Sequence, residues 1–204
     1  MNKLTLLLFC FLTSIFCGAQ NLKDEYNECA VEKFNQHDYH AAIEYFTRVI
    51  EVSPNDSVAY FDRAMAKEML HDYNGAIEDY TKQIGIDVES VDSYFLRGMA
   101  KHHLKQFEGA ILDFTKTLEL ESSNGDAYYW RSLSKAELKN NKGAIEDCDS
   151  AIKLKPQDAK YYLQRGKLRV LSKKHIDACN DFSIYKALGG DLTQIPENNS
   201  CKIK

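Results

Sequence analysis

The sequence repeats itself every 34 residues. The clearest marker is an alanine that recurs five times at this interval, in similar frames such as Asp72-Tyr-Asn-Gly-Ala-Ile and Asn140-Asn-Lys-Gly-Ala-Ile. The five alanines are Ala42, Ala76, Ala110, Ala144 and Ala178. The tyrosines that stand 16 residues before them are Tyr26, Tyr60, Tyr94, Tyr128 and Tyr162. A fixed period of this length indicates a stacked array of small units, in which each repeat buries its apolar face against its neighbours.

Each repeat contains two helical segments. After the alanine, apolar residues recur at i, i+1, i+4, i+7 and i+8, as in Ala42-Ile-Glu-Tyr-Phe-Thr-Arg-Val-Ile-Glu-Val, which is the spacing of one face of a helix. Turn segments such as Ser53-Pro54-Asn55-Asp56 end one helix and offer a cap to the next. We therefore predict a repeat domain over 21–192, followed by a flexible polar tail over 193–204. Its five helix pairs are predicted at 23–56, 57–90, 91–124, 125–158 and 159–192.

This frame resembles the tetratricopeptide repeat (TPR) family. The family has an aromatic residue at repeat position 4, a small residue at 8, alanine at 20, an aromatic residue at 24 and proline at 32. Here all five copies have tyrosine at position 4 and alanine at position 20, but the middle repeats have Val88 and Ser122 in place of the proline. Repeats two to five also carry basic residues at positions 7 and 11. The resemblance implies an all-α fold, a right-handed TPR solenoid of about five helix-turn-helix repeats whose first helices line a concave groove.

The first twenty residues predict export. Lys3 precedes an apolar run over residues 4–16, and the small residues Gly18 and Ala19 follow. This order is typical of a secretory signal peptide, here 1–20, and the run is shorter than the ~20 residues that a membrane anchor needs. We expect a periplasmic or secreted protein. A lipoprotein anchored at Cys17 is the less favoured alternative, because a bulky phenylalanine precedes that cysteine.

Removal of the signal peptide would leave four cysteines, which an oxidising compartment could join in three full pairings. Cys148 replaces the aromatic residue of position 24, and we interpret it as a small buried apolar residue. Cys179 with Cys201 is the candidate disulfide, which would fasten the tail to the last helix. The alternative is that Cys179 is also a core residue.

Arginine at position 7 and aspartate at position 23 recur together in repeats two to five, 16 residues apart and on opposite helices. The pairs are Arg63 with Asp79, Arg97 with Asp113, Arg131 with Asp147, and Arg165 with Asp181. Because the two residue types occur together, we interpret them as structural ion pairs and not as a ladder of ligand-binding arginines. We expect Arg97→Ala to lower the melting temperature markedly, since breaking a buried pair is strongly destabilising.

The resemblance places large apolar side chains on the expected groove. The candidate peptide-binding residues are Phe61, Asp62, Met65, Met69, Phe95, Leu96, Met99, Tyr129, Trp130 and Leu133. An aromatic and methionine surface edged with acids suits an apolar or helical peptide with a basic flank. Some family members hold a C-terminal carboxylate with basic and asparagine side chains. Asp62 and Asp92 stand at such positions here, which disfavours an acidic tail as ligand. For positions 5 and 9, packing against the next repeat is the alternative.

The sequence supports no catalytic, metal or cofactor site. It contains no nucleophile elbow, phosphate-binding glycine loop or cluster of Cys and His ligands. Adjacent His102 and His103 point about 100° apart on a helix, which disfavours a shared metal ion. A net charge of −4 gives no general attraction for nucleic acid. We predict a non-enzymatic scaffold or adaptor for a protein or peptide partner, with a self-associating structural protein of the cell envelope as the alternative.

Overall fold

The computed structural model describes residues 20–196 and residue 201. The predicted signal peptide and the candidate lipid anchor at Cys17 lie outside the described residues, apart from Gln20. Helix α1 covers residues 20–35 of the described part. The helices that follow are α2 (Tyr39–Val52), α3 (Ser57–Met69), α4 (Tyr73–Ile86), α5 (Val91–His103), α6 (Phe107–Leu120), α7 (Gly125–Glu137), α8 (Asn141–Leu154), α9 (Ala159–Leu171) and α10 (His175–Ala187), with a short 3-10 helix at Leu192–Gln194.

Successive helices form pairs, with α1 and α2 in the region of the first predicted repeat and α9 and α10 in that of the fifth; α1 begins at residue 20, before the predicted start at 23. We refer to the first helix of each pair as helix A and to the second as helix B. The chain forms two compact units that divide between Ser93 and Tyr94. Within the described residues, no helix is both long and apolar enough to cross a membrane.

Inside each pair, a small residue at position 8 of helix A packs against the residue at position 24 of helix B. A Cβ added to Gly98 would lie 2.8 Å from the ring of Phe114, so this close approach requires glycine. Repeat four achieves this close approach with a different pair of residues. There the Ser132 Oγ lies 3.0 Å from the Sγ of Cys148, and Cys148 is fully buried without a disulfide. The core of each pair is therefore set by matching the sizes of two residues.

The turn between helices A and B repeats as regularly as the helices. A non-glycine residue with φ between 59° and 62° stands two residues after the end of each helix A, at His37, His71, Lys105, Lys139 and Lys173. The next residue is the N-cap of helix B. The side chains of Asp38, Asp72 and Asn140 accept a hydrogen bond from the backbone of the first turn, whereas Gln106 and Lys174 make no such bond.

Gln106→Asp is expected to raise the free energy of unfolding by about 1 kcal/mol, because aspartate caps a helix and glutamine does not. The measurement is a urea titration followed by circular dichroism. Asp72→Ala, which removes an existing cap of the same type, is the matched control and should lower stability by a similar amount. An unchanged midpoint in Gln106→Asp would contradict the role assigned to this position.

The described part of the tail differs from the flexible end that its polar composition predicts. Asp191 caps the 3-10 helix by accepting a hydrogen bond from the Thr193 amide at 2.9 Å. Ile195 and Cys201 pack against the core of the last repeat, which includes Phe182. The tail is held here because its apolar side chains cover a core that no further repeat covers within the described residues.

Candidate peptide-binding site

A buried carboxylate joins the two helices in each of repeats two to five. In repeat four, the Arg131 Nε and Nη2 atoms donate to Asp147 at 3.0 and 2.7 Å, a bidentate pair. The Nη1 atom of the same arginine donates to Thr115 on the preceding helix B at 3.1 Å. The corresponding Nη2 to Oδ1 distances are 2.7 Å for Arg63 and Asp79, 2.6 Å for Arg97 and Asp113, and 2.6 Å for Arg165 and Asp181. The structure thus brings every predicted Arg–Asp pair together, and it leaves these guanidinium groups committed to internal contacts.

Sequence reasoning missed two further parts of this arrangement. The basic residue at position 11 pairs with the same carboxylate: Lys67 at 2.7 Å, Lys101 at 2.8 Å, Lys135 at 2.7 Å and Arg169 at 2.7 Å. The guanidinium of each position-7 arginine also lies 5.4 to 5.6 Å from the ring centroid of the position-4 tyrosine, a cation–π distance. The signal was present, because both basic positions recur in the repeats that carry the aspartate and lie one helical turn apart.

In the first unit, the candidate groove residues lie along one helix, α3. Phe61 is half-buried, with its ring centroid 5.8 Å from that of Tyr80 in the same repeat. Met65 is half-buried and Met69 is 53% exposed. Phe61 therefore packs inside its own repeat and is also partly exposed. The sequence offered two roles for position 5, facing the groove or packing against the next repeat, and neither included a contact within the same repeat.

A cavity of about 130 Å³ lies between α1, α2 and α3. Its lining residues are Val31, Phe34, Phe46, Asp62 and Met65. Asp62 and Met65 were predicted as groove residues, but Val31 and Phe34 were missed, although they occupy groove positions 9 and 12 of repeat one. Extending the same positions to the first repeat would have found them.

Two carboxyl groups of α3, those of Asp62 and Glu68, are partly removed from water. Burial, together with the nearby charge of Asp56, raises the pKa of Asp62. Burial also raises the pKa of Glu68, whose carboxylate accepts a hydrogen bond from the Tyr80 hydroxyl at 3.0 Å. Of the two, Asp62 lines the cavity, and a perturbed carboxyl group beside a cavity is typical of binding sites.

In the second unit, the remaining candidates form an aromatic surface on α5 and α7. Leu96, Met99 and Leu133 are half-buried, and the Phe95 ring centroid lies 5.9 Å from that of Phe114. The same two helices carry the cluster around Trp130.

The Trp130 ring is half-buried, and its centroid lies 6.2 Å from that of Tyr129, 5.3 Å from that of His102 and 5.9 Å from that of His103. His102 also contacts the Ser134 Oγ at 2.9 Å, and burial lowers the pKa of its imidazole. The two histidines thus belong to an aromatic cluster. In the described part of the chain, no group of three or more His, Cys, Asp or Glu side chains could hold a metal ion.

Lys160, on α9, packs over the ring of Tyr129. The Lys160 ammonium lies 5.4 Å from the centroid of the Tyr129 ring and 5.2 Å from that of Tyr161. It also donates to Asp126 at 2.6 Å, and Lys155 donates to the same carboxylate at 2.8 Å. Although burial opposes the shift, these two lysines lower the pKa of Asp126 to about 2. The Asp126 carboxylate is therefore already paired with two lysines, whereas Asp62 has no such partner among the described residues.

Cys179 and Cys201 are joined in a disulfide in the structure, with Cα atoms 5.3 Å apart. The bond links α10 to the tail, as the candidate pairing requires. Cys29 is free and half-buried.

Comparison with known families identifies the repeat. Models of the tetratricopeptide repeat match residues 30–56 and 96–159. These residues are tetratricopeptide repeats. The search of curated proteins gives no match.

Several solved structures share the TPR fold of this chain at low sequence identity. MamA is 21% identical with a TM-score of 0.80, over 83% of this chain and 92% of that one. MamA from Desulfovibrio magneticus RS-1, residue 41 to its end, is 19% identical with a TM-score of 0.80, over 82% of this chain and 95% of that one. YrrB, described as a TPR protein with an unusual peptide-binding site, is 15% identical with a TM-score of 0.75, over 83% of this chain and 88% of that one. These likenesses confirm the predicted fold class, an all-α TPR solenoid of about five repeats.

Proposed function

We propose that this TPR protein is an exported, non-enzymatic scaffold or adaptor that binds a peptide or partner segment on the groove face of its A helices. The observation that carries the proposal is the aromatic surface around Tyr129 and Trp130, whose large rings are only half-buried. Tryptophan and tyrosine are enriched among residues that dominate binding energy at interfaces. YrrB, which shares the fold, is described as having a peptide-binding site.

The charge distribution favours an apolar partner with a basic flank. Residues 20–134 carry 21 acidic and 11 basic side chains, whereas residues 135–190 carry 7 acidic and 12 basic ones. The candidate groove residues all lie in the acidic part. Complementary potentials speed association and exclude wrong partners, so a basic flank suits this part and an acidic tail does not.

Export is proposed on two grounds. The first is the signal-peptide pattern of residues 1–20. The second is the disulfide between Cys179 and Cys201, because disulfides persist in oxidising compartments such as the periplasm and the extracellular space. A lipid anchor at Cys17 stays the less favoured alternative.

A crosslinked pulldown from envelope extract tests the binding function. The protein without its predicted signal peptide is expected to capture a partner. The Phe95→Ala, Trp130→Ala double variant should capture at least about tenfold less of that partner, since each truncation removes an interface anchor. Leu112→Ala is the matched control, because Leu112 is 71% exposed on a helix B, away from the groove positions. Thermal melts verify that all three proteins are folded.

Equal capture by the parent and the double variant would contradict binding through this surface. No capture by either protein, together with a mass that rises with concentration in light scattering, would favour the alternative, a self-associating repeat protein.

A further inference from the structure

The cavity between α1, α2 and α3 combines apolar walls with a carboxylate. Of the lining residues, Phe46 is 1% exposed and Val31 is 41% exposed, so the cavity extends from the core to the surface. Phe34 and Met65 supply further apolar surface, and methionine adapts its shape to what it contacts. Asp62 brings a charged group into this otherwise apolar lining.

Asp62 differs from Asp56 and Asp79, the other aspartates of this unit that are not exposed, because the described residues place no donor within hydrogen-bond or ion-pair distance of it. The neighbouring cations are committed elsewhere. Lys23 pairs with Asp56 at 2.6 Å, and Arg63 and Lys67 both pair with Asp79 at 2.7 Å. A carboxylate that is partly removed from water and has no counter-ion costs free energy. The folded protein therefore bears a cost that an external cation would relieve.

We propose that this cavity is the pocket for a basic side chain of the partner, with the aliphatic stem against Phe34, Phe46 and Met65 and the cation on Asp62. The inference rests on the proposed function, because a bound peptide supplies the side chain. Long basic side chains bury their stems on apolar surface while their charge keeps a polar partner. The cavity volume of about 130 Å³ equals that of about four water molecules in the liquid, which suits a stem of a few methylene groups.

This arrangement separates the effect of Asp62 on stability from its effect on binding. Asp62→Asn removes an uncompensated charge and keeps the shape of the side chain, so the variant should melt at the same temperature as the parent or higher. The same change removes the negative charge that would pair with the basic side chain, so it should weaken the binding of that side chain. A residue with a purely structural role would show the opposite pattern.

Two small probes of equal length test the pocket without a peptide: n-hexylammonium chloride and 1-hexanol. Binding is followed by NMR of methionine labelled at the ε-methyl carbon, with Met65 as the reporter and Met99 in the second unit as the internal reference. We expect n-hexylammonium to shift the Met65 signal and to bind at least about tenfold more tightly than 1-hexanol, because its ammonium forms a charge-assisted hydrogen bond. Asp62→Asn should abolish this preference. The control Glu78→Gln, at an exposed site on α4, should preserve it.

Equal affinities for the two probes, or no shift at Met65 with either of them, would overturn the proposal. A lower melting temperature in Asp62→Asn with unchanged binding would overturn it as well, and would assign Asp62 a structural role. The probes test the cavity alone. A failed pulldown with an intact ammonium preference would therefore count against the adaptor function, and a successful pulldown without that preference against the pocket.

Discussion

Replacing Asp113 by alanine is expected to lower the free energy of unfolding by about 3–5 kcal/mol, the range for breaking a buried ion pair. Asp113 is 4% exposed, and it accepts hydrogen bonds from Arg97 at 2.6 and 2.9 Å and pairs with Lys101 at 2.8 Å. Its loss leaves two cations on α5 without their carboxylate. Arg97→Ala should be destabilising for the converse reason, because it removes the bidentate partner of a buried carboxylate.

The matched control lies on α6, the helix that also carries Asp113. Glu119 pairs with Lys116 at 3.2 Å, but its side chain is 60% exposed, so Glu119→Ala should change stability by at most about 1 kcal/mol. Urea titrations of both variants provide the comparison. High salt should weaken the exposed pair more than the buried one, because solvent ions screen only accessible charges. Similar losses in both variants would contradict the assignment of Asp113 as a buried structural anchor.

The repeats were predictable from sequence because a period supplies its own evidence. A tyrosine or alanine that recurs five times fixes the register of every helix pair, and an arginine that recurs with an aspartate points to a contact. The second cation at position 11 has the same periodicity. Its pairing with the same aspartate does not follow from periodicity alone, because a basic residue one turn from the arginine could equally point into solvent.

Features that occur once were harder to predict. The packing of Ile195 and Cys201 onto the last repeat depends on which core surface is left uncovered, and no other repeat shows a copy of that contact. The cavity beside Asp62 depends in the same way on how three helices fill space. Sequence gives the type of each lining residue. The volume left between them, and the absence of a counter-ion among the described residues, follow only from the packed side chains.

The groove prediction lies between these two cases. Periodicity predicts which positions of the A helices face a groove, with Phe61, Phe95 and Trp130 among them, but it does not show how much of each ring serves the fold. Phe61 and Phe95 contact the position-24 rings of their own repeats, whereas Trp130 lies among histidines. Trp130→Ala alone should therefore affect binding with a smaller effect on stability than Phe95→Ala.

Cys148→Phe is expected to be destabilising by about 1–3 kcal/mol, although it restores the residue type that the other repeats have at this position. The reason is the size of the residue at position 8. The residue pairs at positions 8 and 24 are Ala30 with Phe46, Ala64 with Tyr80, Gly98 with Phe114, Ser132 with Cys148, and Gly166 with Phe182. Cys148 is fully buried, with its Sγ 3.0 Å from the Ser132 Oγ, so a phenyl ring has no free space there.

Adding Ser132→Gly to Cys148→Phe reproduces the combination that repeats three and five use, and it should recover most of the loss. Recovery is incomplete, because glycine in a helix interior is less favourable than other residues by up to about 1 kcal/mol. Ser132→Gly alone should be destabilising too, since it removes atoms from a packed core. The free energies of the two single variants and the double variant give a coupling energy, measured by urea titration. A favourable coupling above about 1 kcal/mol is expected for residues in direct contact. Additive losses would show that the two positions are filled independently, and that the recurrence of small with large residues has another cause.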